Sequence, residues 1–169
     1  MNVRKLLLSD AAAYTALRLR GLKECPTAFG TSYAEEKRRP ASVFRDRLKP
    51  SLTTTAFGAF DGKILVGVAT LVRETREKEK HKANIYGMYV APEARRGGVG
   101  TLLIETCLRR CARLGGIRQV RLSVSATNAA AVGLYRSRGF TEYGREVDAL
   151  KVAGRYYDEL FLVRRLAKR

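Results

Sequence analysis

Cysteine is scarce in this chain: Cys25, Cys107 and Cys111 are the three among 169 residues. An odd, sparse count argues against a disulfide framework. Cys107 and Cys111 stand four apart on the apolar face of a predicted helix, where core packing accounts for them without a redox or metal pair. Histidine is scarcer still. The single His81 lies in a run of charges, and a zinc site would need ligands the chain does not supply. No window reaches the ~18 apolar residues of a membrane span. The longest apolar run, Ile64 to Val72, reads as a strand. Leu6-Leu7-Leu8 is too short for the core of a signal peptide and Asp10 follows it, so a cytoplasmic location without membrane contact is expected. Internal repeats and low-complexity tracts are also lacking, apart from the charged run at 73 to 82.

Acidic residues are few beside the basic ones. Sixteen Asp and Glu face 33 Lys and Arg, for a net charge of +17. That field would attract an anionic cofactor, nucleic acid or acidic proteins. The basic residues are spread along the chain, however, and no basic recognition helix or aromatic RNA-binding motif is present. The length fits one domain, residues 1 to 169, able to bury a core without metal or disulfides.

Residues 2 to 8 read as a first strand, and Ser9 as the cap of a helix through about Glu24. Ala13, Ala16, Leu17 and Leu22 supply that helix's apolar stripe; Arg18, Arg20 and Lys23 supply its wet side. Pro26 ends it. The stretch from Pro26 to Glu36 reads as loop, and Pro40 to Leu48 as a short second helix. Thr54 to Phe60 and Ile64 to Val72 form a hairpin about Asp61-Gly62. Ile117 to Ser125 is a strand, Asn128 caps a helix closed by Gly139, Phe140 opens a strand, and Tyr156 to Leu166 is the last one. Asp148 to Arg155 reads as a loop. Strands first, then alternating strands and helices, make a mixed α/β domain.

Residues 84 to 104 organise the rest. A strand ends at Pro92, and a helix over 100 to 114 begins after the basic turn Arg95-Arg96-Gly97-Gly98-Val99-Gly100-Thr101. A helix start offers unpaired N–H groups and the positive end of the dipole. The glycines let a polyanion approach that backbone, and two arginines add forked donors. The same glycines would also serve a turn that merely needs tight geometry. Two known phosphate cradles are excluded: Thr101 stands where Walker A needs Lys, and no Gly-x-Gly-x-x-Gly is present.

The turn resembles the Arg/Gln-x-x-Gly-x-Gly/Ala signature of the GNAT superfamily of acyl-CoA N-acyltransferases. Met88-Tyr89-Val90-Ala91-Pro92-Glu93 is similar to that family's fourth strand. The run from Asn128 through Tyr135 to Gly139-Phe140 is similar to its second hallmark. The resemblance covers nearly the whole chain. It implies a twisted mixed β-sheet flanked by helices, with strands four and five splayed into a V-shaped cleft for acetyl-coenzyme A. Direct acetyl transfer to a primary amine is the implied reaction.

By that resemblance, Arg95, Arg96, Gly97, Gly98, Val99, Gly100 and Thr101 hold the diphosphate. Met88, Tyr89 and Val90 pair with the pantetheine amides, Asn128 contacts the cofactor, and Tyr135 is the general acid for the leaving sulfur. Asn128 is equally explained as a helix cap, and Tyr135 as a core tyrosine. Phe29 and Tyr33 fall where the family shapes its acceptor site; anchoring of the loop explains them as well. One departure stands out: Asn84 occupies the position where many relatives place a glutamate base. Glu35, Glu36 and Asp148 are the remaining acidic candidates, and the sequence selects none. The acceptor, and whether the chain forms a homodimer, stay open. A nucleic-acid-binding basic protein and a catalytically silent coenzyme A-binding regulator are the competing readings.

Overall fold

The computed structural model describes residues 1–167. The expected domain boundary at residue 169 lies outside them. Seven strands form one sheet: β1 Asn2–Lys5, β2 Thr54–Asp61, β3 Ile64–Arg73, β4 Lys82–Val90, β5 Gln119–Ser125, β6 Thr141–Val152 and β7 Arg155–Arg165. Their order across the sheet is β1-β2-β3-β4-β5-β7-β6. Among the described residues only the β4–β5 pair is parallel; the other pairs are antiparallel. This is the mixed sheet the sequence led us to expect.

Helices cover both faces. On one lie α1 Ala11–Glu24, α2 Tyr33–Lys37 and α3 Ala41–Asp46; on the other lie α4 Val99–Leu114 and α5 Ala129–Ser137. Two cores result. Leu103, Ile104 and Cys107 of α4 pack with Val120, Leu122, Val124 and Leu162 of the sheet. Leu17, Leu22, Phe29 and Phe44 pack with Leu65, Val68 and Tyr89 on the opposite face. Side chains alternate along each strand, so neighbouring residues feed different cores.

The β4–β5 pair is the feature that makes a site. Its ladder holds only Lys82↔Gln119, Ala83↔Val120 and Asn84↔Arg121. Beyond Asn84 the strands part, while β5 stays paired with β7 through Ser125↔Glu159. The register of β4 against β3 also slips there, from Thr70↔Tyr86 to Val68↔Tyr89. Gly87 sits in this bulge at φ +59, a value that favours glycine. The extra residue reverses the alternation: Ala83 and Ile85 face the α4 core, and so do Met88 and Val90, while Tyr89 enters the other core.

Several local expectations change. Ser9 does not cap α1; a 3-10 turn, Leu8–Asp10, precedes it and Asp10 occupies the cap position. Asp10 is pulled there by Leu7 N–H and by a forked pair from Arg4 at 2.7 and 2.8 Å. The buried stripe of α1 is Tyr14, Leu17, Gly21 and Leu22, and Ala13 and Ala16 are exposed. Arg18 lies within that stripe rather than on the wet side, because it is four residues from Tyr14 and from Leu22. The second helix is shorter than expected, and α2 replaces part of the loop before it. Ser32 and Glu35 cap α2 reciprocally, the Ser-x-x-Glu signature. Residues 148 to 152 are strand, not loop. Ala153 and Gly154, both at positive φ, make a two-residue turn between β6 and β7. Helix α4 starts at Val99, one residue earlier than expected.

Candidate active site

Where β4 and β5 part, a cleft of about 1170 Å³ passes through the sheet. Residues from both faces line it. Val99, Leu134 and Tyr135 come from the α4–α5 side, and Tyr14, Arg18 and Phe29 from the α1 side. The Pro26–Ala28 turn after α1 reaches across to pack on β5 and β6, roofing one end.

The turn before α4 shapes the other end. Arg96 and Gly98 both adopt left-handed backbone, at φ 64 and 77. Gly98 is the N-cap of α4 and offers no side chain, so no side-chain cap bond exists. The first N–H to close the helix is Leu102 onto the Gly98 carbonyl, at 3.0 Å. The N–H groups of Val99, Gly100 and Thr101 precede that bond and stay available on the cleft wall. A Cβ on Gly98 would meet nothing within 4 Å, whereas one on Gly100 would strike Leu134 at 2.8 Å. Gly100 thus lets α5 dock on α4, and Gly98 leaves the approach to the helix start open. Arg95 braces the turn: its Nε donates to the Val90 carbonyl at 2.9 Å, and its guanidinium lies 5.8 Å over the Tyr89 ring. These features fit a diphosphate in charge and access.

Tyr135 projects from α5 into the middle of the cleft and is 7% exposed. Its hydroxyl donates to the Met88 sulfur at 3.5 Å, and its ring meets Phe140 edge-on. Burial, with a smaller push from Cys107, raises its pKa to about 12. The hydroxyl therefore keeps its proton at neutral pH and can give it to a basic atom placed beside Met88. The bulge at Gly87 is what turns Met88 toward Tyr135. Asn128 caps α5, its Oδ1 accepting from Ala131 N–H at 3.1 Å, and also lines the cleft.

Every cofactor-contact residue expected from the sequence lies on the cleft wall except Gly97. Gly97 does not line the cleft, and a Cβ there would meet the Ala94 carbonyl oxygen at 3.8 Å. Phe29 lines the cleft; Tyr33 heads α2 and does not. Asn84 is buried at the closed vertex of the V. Its amide donates to Glu74 at 2.6 Å and its oxygen accepts from Arg121 at 3.1 Å. Glu35 caps α2, Glu36 is engaged by arginines, and the backbone N–H of Asp148 is tied to Asp158. None of the three lines the cleft.

The cleft has one carboxylate among the described residues, and it is Glu159 of β7. Ser123 Oγ donates to it at 3.2 Å. Leu160 and Leu162 of β7 enter the α4 core, so alternation puts Glu159 on the α1 face, opposite Tyr135. Sequence reading missed it because the strand register alone brings it beside β5. Arg18, Arg47, Arg95 and Arg96 line the same cleft, a strongly positive wall around a single negative group.

Comparison with known proteins agrees with this architecture. Residues 20–140 match the model of the acetyltransferase (GNAT) family. The chain is 30% identical over 138 residues to mycothiol acetyltransferase of Brachybacterium faecium, covering 82% of this chain and 40% of that protein. It is 31% identical over 78 residues to spermidine N(1)-acetyltransferase of Vibrio cholerae, covering 46% of this chain and 45% of that protein. The chain thus spans less than half the length of either relative. Among solved structures, a GNAT acetyltransferase from Streptococcus pneumoniae superposes with TM-score 0.86 at 20% identity, over 98% of this chain and 99% of that one. A putative acetyltransferase from Salmonella typhimurium, solved with acetyl-CoA, superposes with TM-score 0.83 at 19% identity, over 100% and 95%. The family match over the residues that build the cradle, the splayed strands and α5 settles the kinship: the chain belongs to the GNAT family of acetyltransferases.

Proposed function

We propose that this protein is an acetyl-CoA-dependent N-acetyltransferase acting on a primary amine. The observation that carries the reading is the open, glycine-capped start of α4 at one end of a cleft that holds a buried, protonated tyrosine and a single carboxylate. Acetyl-CoA supplies the acyl group as a thioester. The Arg95–Thr101 turn, apart from Gly97, holds its diphosphate. The free edge of β4 at Met88–Val90 offers N–H and C=O groups to amides, as an added strand would. Asn128 lies on the same wall at the start of α5.

Transfer forms a nitrogen–carbon bond and breaks the carbon–sulfur bond. One proton must leave the amine and one must reach the sulfur. Tyr135 supplies the second from the α5 side. Glu159 receives the first from the α1 side. The two groups stand on opposite faces of the sheet, so the two protons move on opposite sides of the acyl carbon.

Gly98→Val tests the cradle. The added side chain enters space that is open here, on a backbone at φ 77 that valine strongly resists. Acetyl-CoA affinity by calorimetry is expected to fall at least tenfold, about 1.4 kcal/mol. Unchanged affinity in a folded variant would remove the turn from the cofactor site.

Arg95 and Arg96, on the turn beside the helix start, predict a salt effect. Acetyl-CoA affinity is expected to fall as ionic strength rises through the physiological range, where exposed charges are screened beyond about 8–10 Å. Titrations at low and moderate salt giving equal affinity would show that the charge plays no part in capture.

A further inference from the structure

On the α1 side of the cleft, three guanidinium groups surround one buried carboxylate. Glu36 is 1% exposed and accepts a forked pair from Arg47 at 2.8 and 2.9 Å. Arg18 and Arg39 each stand at 3.8 Å from it, outside hydrogen-bond reach. One negative charge thus faces three positive ones. Arg39 is well exposed and solvated, and Arg47 has its fork on Glu36. Arg18 has neither outlet. Its side chain is 12% exposed, and its Nε is buried without a hydrogen-bond partner. The guanidinium stacks on Phe29, 4.5 Å from the ring centre.

A structural ion pair would be expected to satisfy its buried donors, because an unmade bond there is costly. Arg18 instead lies against the β4 bulge. Its Nη1 is 3.5 Å from where a Cβ on Gly87 would stand, one residue before Met88. Arg18, Arg47 and Tyr14 all line the cleft. Burial lowers the Arg18 pKa, offset in part by Glu36, yet no ordinary pH deprotonates a guanidinium. A desolvated positive fork on the wall of an open cleft is suited to a planar anion.

We infer that the acceptor amine carries a carboxylate, as an amino acid does, and that Arg18 backed by Arg47 receives it. This rests on the N-acetyltransfer reading above. The carboxylate would enter from the α1 face, the face that also carries Glu159. A single carboxylate among four arginines disfavours a polycation such as a polyamine.

The test is a coenzyme A release assay on the twenty amino acids, their carboxamides and spermidine, each with wild type and Arg18→Gln. For whichever amino acids react, wild type should show kcat/KM at least tenfold above their own amides. In Arg18→Gln that ratio should collapse toward one through a rise in KM, with amide rates and acetyl-CoA affinity held. Arg18→Lys keeps the charge without the fork and should fall between. Amides or spermidine as the better acceptors of wild type would overturn the inference whatever the variants do. So would an undiminished ratio in folded Arg18→Gln. If no amine releases coenzyme A, the transferase reading fails, and calorimetric titration of the same amino acids into the coenzyme A-loaded protein decides the pocket. Saturable binding lost in Arg18→Gln upholds an anion site; absence of binding removes it.

Discussion

Replacing Tyr135 with phenylalanine is expected to lower kcat roughly 10²-fold while acetyl-CoA affinity barely moves. The substitution keeps the ring, so the edge-on contact with Phe140 and the packing against the α4 core survive. Only the hydroxyl at 3.5 Å from the Met88 sulfur is lost. Burial holds the Tyr135 pKa at about 12, so the group is a proton donor throughout the neutral range. Its titration therefore places no inflection between pH 6 and 10 on the rate, and the variant should be slower by a constant factor there. Steady-state rates across that range, with calorimetry on the free variant, check both parts. Full activity would return Tyr135 to a purely structural role.

Glu159→Gln is expected to cost more, on the order of 10²–10⁴ in kcat/KM, the range for loss of a positioned base. Glutamine is isosteric and can still accept from Ser123, so the β5–β7 pairing is preserved. The variant cannot take a proton from the attacking amine. Its rate should then depend on acceptors arriving already neutral, with a steeper rise toward high pH and a preference for amines of low pKa. An α-amine titrates near about 8 and a lysine side chain near about 10.4, so the spread between them should widen in the variant. The check is a pH–rate profile of both proteins on two acceptors of different pKa. A profile unaltered by the substitution would strip Glu159 of the base role.

The parts of this site that were legible in the sequence are those carried on short contiguous runs. The β4 strand, the turn from Arg95 to Thr101 and the Asn128–Tyr135 helix start are each carried within a few residues, and the structure places their expected site residues on one cleft wall, Gly97 excepted. Local turn chemistry was harder to read. The Ala153-Gly154 turn is hard to see in the sequence because alanine seldom adopts positive φ, so the end of β6 reads as loop. Ser32-x-x-Glu35 is a capping signature that marks the start of α2.

Glu159 and Arg18 were illegible for a different reason. Their roles follow from register and helix phase, not from neighbours in sequence. Only the pairing of Ser125 with Glu159 brings that carboxylate beside the free end of β5. Arg18 was hidden by phasing α1 on its alanines. Phased instead on Tyr14, Leu17, Gly21 and Leu22, the helical spacing places Arg18 on the inner face. An arginine inside an apolar stripe is the signal that was there to find. Asn84 shows the limit of motif transfer. The expected departure from a glutamate is present, but its amide is tied to Glu74 and Arg121 at the vertex, and the cleft's carboxylate comes from another strand.

The most direct measurement follows the acetyl group itself. Wild-type protein is incubated with acetyl-CoA labelled in the acetyl carbons and with a panel of amines, and the products are separated by mass. The label is expected in an N-acetyl amide formed in equal amount to the coenzyme A released. That amide should fall roughly 10²-fold in Tyr135→Phe at unchanged acetyl-CoA binding. Label recovered only as free acetate, or bound acetyl-CoA left intact with every amine offered, would contradict the assignment of amine acetylation to this cleft.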